Sequence, residues 1–171
     1  MATTLRDPWL EVSAHTLQDK SDSFSVTALP ATLKKRLTFA VGTAADKVDR
    51  AYFKEYTIDP SQAQDIDLDA AITNILGDSA AAANGGFVRG FAIVNVTATA
   101  GQGDCTLTGD WLDDWGGATG VTIPLGQGAV LAWGDGNGVV VTASTGDVVT
   151  VTNTDGSNAA TIRVVFFVTS A

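Results

Sequence analysis

From Val139 to Ala171 the chain reads "VVVTASTGDVVTVTNTDGSNAATIRVVFFVTSA", made nearly all of β-branched residues and turn residues. Val, Ile and Thr are stiff at χ1 and suit a pleated surface, so this stretch constrains the fold to strands and tight turns. Within it, Ile162, Val164, Phe166 and Val168 alternate into one continuous apolar face. The opposite face carries Thr161, Arg163 and Thr169, but also Val165 and Phe167. A strand facing water on that side would be polar there, so Val165 and Phe167 imply cover by the N-terminal segment, by another subunit or by the rest of the same chain.

The same rhythm extends upstream. "FVRGFAIVNVTAT" alternates Phe91, Ile93 and Asn95 against Ala92, Val94 and Val96, with both faces largely apolar, as in a central strand. "DCTLTG", a segment around Ile123, a strand from Val130 to Trp133, a "GDGNG" hairpin turn and a strand from Val139 to Thr142 follow at even spacing. Earlier, "LKKRLTFAV" alternates Leu33, Lys35, Leu37 and Phe39 against Lys34, Arg36 and Thr38. "RAYFKEYTID" has no cleanly apolar face and reads as an edge or interface strand, and Ala70 to Leu76 reads as one short helical turn. About eight or nine strands in a single domain predict an all-β fold, a jelly-roll-like β-sandwich rather than a propeller or solenoid.

Residues 1–32 differ. Their apolar residues are scattered, and Pro8 and Pro30 interrupt any period. They are expected to form an extended N-terminal arm, with residues 33–171 as the sandwich domain. Trp9 and Leu10 in such an arm need a surface to cover.

The charge balance narrows the function. The formal net charge is -9, which argues against direct nucleic-acid binding, since that requires clustered Lys and Arg. Beyond Gly90 the only cation is Arg163, whereas Lys34, Lys35 and Arg36 stand in a row near the start. That asymmetry suits docking of one end of the molecule to an acidic partner surface. Cys105 is alone, so neither an internal disulfide nor a cysteine metal site is expected. No signal peptide is expected from Met1 to Leu10, and no run approaches the roughly 20 apolar residues of a membrane span. A cytoplasmic site of synthesis or assembly follows as an expectation.

Candidate chemistry is sparse. His15, the sole histidine, has no Ser or Cys companion in a recognisable motif, so no catalytic residue is assigned. "DIDLD" places Asp65, Asp67 and Asp69 on one face of a strand; a calcium site is conceivable, but a solvated face is the preferred reading and no metal or cofactor is assigned. "GDWLDDWGG" interleaves Trp111 and Trp115 with Asp110, Asp113 and Asp114. Aromatic rings beside carboxylates can hold a sugar, so Trp111, Trp115, Asp113 and Asp114 are candidate glycan-binding residues. Two of the carboxylates could instead form a glycosidase pair. The preferred alternative is a loop whose tryptophans anchor it to the domain or to a partner.

From about Lys34 onward the chain resembles the small structural proteins of tailed-bacteriophage particles. The likeness lies in "GTAADKVDR", "TIDPSQAQDIDL", "AITNILGD", "VRGFAIVNVT", "IPLGQGAVLAW" and the closing stretch quoted above. It implies a virion protein, a capsid cement or decoration subunit or a component of tail or spike; the expected reading is a homotrimer, assembled in the host cytoplasm, that contacts the major capsid protein or other virion proteins. A tail- or spike-associated carbohydrate- or receptor-binding module is the alternative. The resemblance carries over no catalytic residues, so a non-enzymatic role is expected, without nucleic-acid or membrane partners. Trp9, Leu10, Lys34, Lys35, Arg36, Val165 and Phe167 are the expected partner contacts.

Overall fold

Residues 50–169 double back on themselves about the pairing of Thr106 with Pro124, each half laid antiparallel against the other. In a computed structural model, which describes residues 8–21, 26–44, 46–70, 73, 81–82, 85–99 and 101–170, the elements run β1 (Trp9–Ser21), β2 (Val26–Thr38), β3 (Arg50–Ile58), β4 (Ala63–Asp67), β5 (Phe87–Asn95), β6 (Cys105–Thr108), α1 (Asp110–Gly116), β7 (Ile123–Leu125), β8 (Val130–Val140), β9 (Val148–Asn153) and β10 (Ala160–Thr169). The fold is all-β. The antiparallel pairs are nested: β6 with β7, β5 with β8, β4 with β9 and β3 with β10. They form two four-stranded sheets, one ordered β3-β10-β5-β8 and the other β4-β9-β6-β7.

One core lies between the sheets. Ile162, Val164, Phe166 and Val168 from β10 and Phe91 and Ile93 from β5 meet Val149 and Val151 from β9, Leu107 from β6 and Ile66 from β4. All are almost fully buried, as the alternation of β10 predicts. Two buried asparagines tie the sheet ends to loops. The Asn95 side-chain amide donates to the carbonyls of Gly103 and Leu125, and that of Asn153 donates to those of Ile58 and Asn158. Cys105 is buried in the same core, and burial pushes its thiol up to about 11.

Two local readings change. "GDWLDDWGG" is not a loop but the helix α1, because Trp111, Leu112 and Trp115 fall on one face against the core. "GDGNG" does not turn a hairpin. β8 stays paired to β5 on both sides of it, and residues 135–138 bulge out opposite Arg89. Arg89 is buried, and its guanidinium donates to the carbonyls of Gly136 and Asn137, which fixes the bulge. The short helical turn expected at Ala70 to Leu76 lies mostly outside the described residues.

β1 and β2 form a two-stranded antiparallel ribbon of two 13-residue strands. Residue 32 lies within β2, opposite His15. The ladder ends where the Phe39 amide donates to the Pro8 carbonyl, 3.0 Å away.

Candidate interaction surface

The outer face of the β3-β10-β5-β8 sheet is built by register. Residues opposite one another on neighbouring strands share a face, so each row across the sheet can be read from the pairing. Phe53, Val165, Ala92 and Ala132 make one row, and Val94 and Val130 continue it on β5 and β8. The next row is Ala51, Phe167, Gly90 and Gly134. Water therefore meets a broad apolar plateau on this side. Val130 is 63% exposed and Phe53 42% exposed, far above what a finished core tolerates. Arg163 and Glu55, joined by a 2.7 Å ion pair, border it on β10 and β3.

The base of the ribbon covers one end of this plateau. Gly90 and Gly134 face each other on β5 and β8 and leave a notch without side chains. Phe39 and Leu37 fill it: a Cβ on Gly90 would lie 2.8 Å from Phe39 Cζ, and one on Gly134 2.6 Å from Leu37 Cδ2. Phe39 also packs on Phe167 with ring centroids 5.3 Å apart. Phe167 thus finds cover from its own chain and is half-buried, while Val165 lies farther from the ribbon.

Strand alternation separates the remaining predicted contacts. Leu10, Val12, Lys35 and Leu37 line a groove against Ala132, Trp133 and Gly134 of β8. Trp9, Glu11, Lys34 and Arg36 lie on the other face of the ribbon. There the Arg36 guanidinium sits 4.4 Å above the Trp9 ring, and Lys34 lies 3.1 Å from Glu11. The three consecutive cations therefore do not form one patch: Lys35 points away from Lys34 and Arg36.

Trp111 and its neighbours occupy a different part of the fold. Trp111 has no exposed surface, and its ring meets Phe91 and Phe166 edge-on at 5.7 and 6.3 Å. This placement removes Trp111 from the candidate glycan platform, since no ring face is open to a sugar. Trp115 is half-buried, packed edge-on against Phe91 and Trp133. Asp110 Oδ1 accepts from the amides of Asp147 and Val148, and Asp113 accepts from those of Gly120 and Val121. These carboxylates hold loops to the helix. Asp114 is exposed beside a shallow depression shared with Asp113, Gly117, Ala118 and Thr119.

Asp65 accepts from the Thr150 hydroxyl, and Asp67 Oδ1 accepts from the amides of Asp69 and Ala70, closing a turn. Among the described residues, no group of three or more His, Cys, Asp or Glu side chains is placed to hold a metal ion. No helix among them is long and apolar enough to cross a membrane. The His15 side chain lies outside the described part of the structure.

The sequence left Phe53, Ala92, Val94, Val130 and Ala132 unassigned. Val165 and Phe167 on β10 and the ambiguous alternation of β3 pointed toward the plateau, and β3 is an edge strand of that sheet. Comparison with protein-family models gives no match, and comparison with curated proteins gives none either.

Proposed function

We propose that the chain is a structural subunit of a tailed-phage particle, a capsid cement or decoration protein that self-assembles as a homotrimer on the outside of the shell. The observation that carries the self-assembly reading is the apolar plateau crossing all four strands of one sheet. Burying such a face against other copies removes it from water, and many copies on one particle add avidity to individually modest contacts. The phage context rests on the sequence resemblance. The nested strand pairing supports a jelly-roll-like sandwich, because both sheets arise from one long hairpin rolled over on itself.

The ribbon β1–β2 serves as the N-terminal arm in this reading. Two strands alone are marginal in water, so a ribbon of this length calls for a further surface along it. Trp9 and Arg36, stacked on its outer face, are of the residue types that dominate interfaces. Lys34 and Arg36 on that face suit an acidic surface of the major capsid protein or another virion protein.

Val165→Asp tests the reading. It places a charge in the middle of the plateau without touching the core. The purified protein should pass from the parent's multimer to a smaller assembly by light scattering, with its melting temperature nearly unchanged. The parent should co-purify with particles and the variant should not. A parent that is monomeric at high concentration and absent from particles overturns the proposal.

A further inference from the structure

A sheet edge is a row of unpaired backbone donors and acceptors, and natural proteins usually protect it. Three of the four edges of the two sheets are protected here. β7 is three residues long and contains Pro124, which has no N–H. β4 is five residues long and carries Asp65 and Asp67. β3 carries exposed Lys54 and Glu55. The remaining edge is β8. Its segment Val130–Gly134 has no charge, no proline and no bulge, and it begins with the most exposed large apolar residue among those described.

Which groups face outward follows from the ladder. Asn95 donates to Ala129 of the β8 side, whereas Val96 donates to Thr161 of the β10 side. Odd-numbered β5 residues therefore bond toward β8, and their partners there are Leu131 and Trp133. Val130, Ala132 and Gly134 direct their N–H and C=O groups away from the sheet.

The geometry points to this edge as the seat of a second copy's β8, paired antiparallel about a two-fold axis through Ala132. The inference rests on the self-assembly reading above and names a contact beyond the plateau. Charge selects the occupant. Two copies of a chain with net charge -9 repel wherever acidic faces meet, but a β8-to-β8 contact brings no carboxylate of Val130–Gly134 against another. A two-fold contact demands a self-complementary segment, and this one pairs Val130 with Gly134 and Ala132 with itself. Three hydrogen-bonded pairs supply on the order of six backbone bonds. The groove wall of Leu10, Val12 and Leu37 stands beside the same edge, ready to pack on the incoming strand. The seam joins two four-stranded sheets into one of eight strands. In a three-fold assembly it links subunits in pairs, and where the two-fold meets the three-fold axis at right angles it closes a hexamer.

Ala132→Pro is the sharpest test. The Ala132 amide faces outward, so proline removes no bond within the fold but blocks the seam. Val130→Lys, at an exposed position, is the second variant and guards against misfolding of the first; because Val130 also borders the plateau, Val165→Asp, which leaves the β8 edge intact, is the control and should keep the amides of Val130, Ala132 and Gly134 protected. Ala132→Pro and Val130→Lys should each halve the mass measured by analytical ultracentrifugation, with the melting temperature close to the parent's. In the parent the amides of Val130, Ala132 and Gly134 should exchange with deuterium at least about tenfold more slowly than in Val130→Lys. A multimeric parent with unchanged mass in both variants, and with fast exchange at these amides, overturns the β8 seam and leaves the self-assembly reading standing. A monomeric parent overturns both.

Discussion

Phe39 lies against Phe167, 5.3 Å between ring centroids and tilted by 35°. The first residue after the ribbon is thereby fastened to the outer face of the last strand. The two rings come from opposite ends of the chain. A double-mutant cycle with Phe39→Ala and Phe167→Ala should give a coupling of about 0.5–1.5 kcal/mol in chemical denaturation, as aromatic pairs do beyond their burial. Additive effects would mean that the rings do not meet in solution.

Gly134 offers a second probe of the same junction. A methyl group there would stand 2.6 Å from Leu37 Cδ2 and 3.5 Å from Leu10 Cδ2. Gly134→Ala should therefore lift the ribbon base from the sheet and cost roughly 1–3 kcal/mol, the usual range for overpacking. Limited proteolysis should then cut within residues 9–38 faster than in the parent. Unchanged cleavage would place the ribbon elsewhere.

Trp111 separates core from binding site. With its ring enclosed by Phe91 and Phe166, Trp111→Ala should destabilise the fold by about 3–5 kcal/mol. A sugar-binding tryptophan would instead lose glycan-array signal at constant stability. Thermal melting of Trp111→Ala beside Trp115→Ala, the latter only half-buried, should show the larger loss for Trp111.

Asp155 sets part of the acid response. Its carboxylate accepts from the Gly103 amide first, then from the Ser157 amide and the Asn158 side chain, and is held at about 2 against an ordinary 3.8. The folded group binds its proton less readily than the unfolded one. Its contribution is therefore complete above about pH 4 and is lost as the pH falls toward 2. Urea denaturation of the parent between these values should show a steeper loss of stability than Asp155→Asn, which has no proton to take up there. Parallel curves for the two proteins would show that the carboxylate is not held as described.

The sequence was most legible where one face decides everything. Ile162, Val164, Phe166 and Val168 alternate cleanly because a single core lies beneath them. β1 was opaque because a two-stranded ribbon buries little, so its strands need no apolar period; each strand also has a free edge, where Pro30 is tolerated within β2. Helix α1 is seven residues long and rich in Asp and Gly, too short for propensity to announce it. The bulge at residues 135–138 depends on Arg89, far away in sequence. The plateau was least legible of all. Val165 and Phe167 stand out in their own strand, but Phe53, Ala92 and Ala132 are unremarkable in theirs and join Val165 in one row only through register, which no local pattern contains.

The nested pairing also governs how the chain reaches this state. Among the nested pairs, only β6–β7 closes a short stretch, spanning Cys105 to Leu125, with α1 inside it. Each pair outside it must close a longer loop, and β3 meets β10 last and at the greatest entropic distance. Such high contact order implies slow, centre-outward zippering, in which the terminal strand stays unpaired until nearly all the rest is in place.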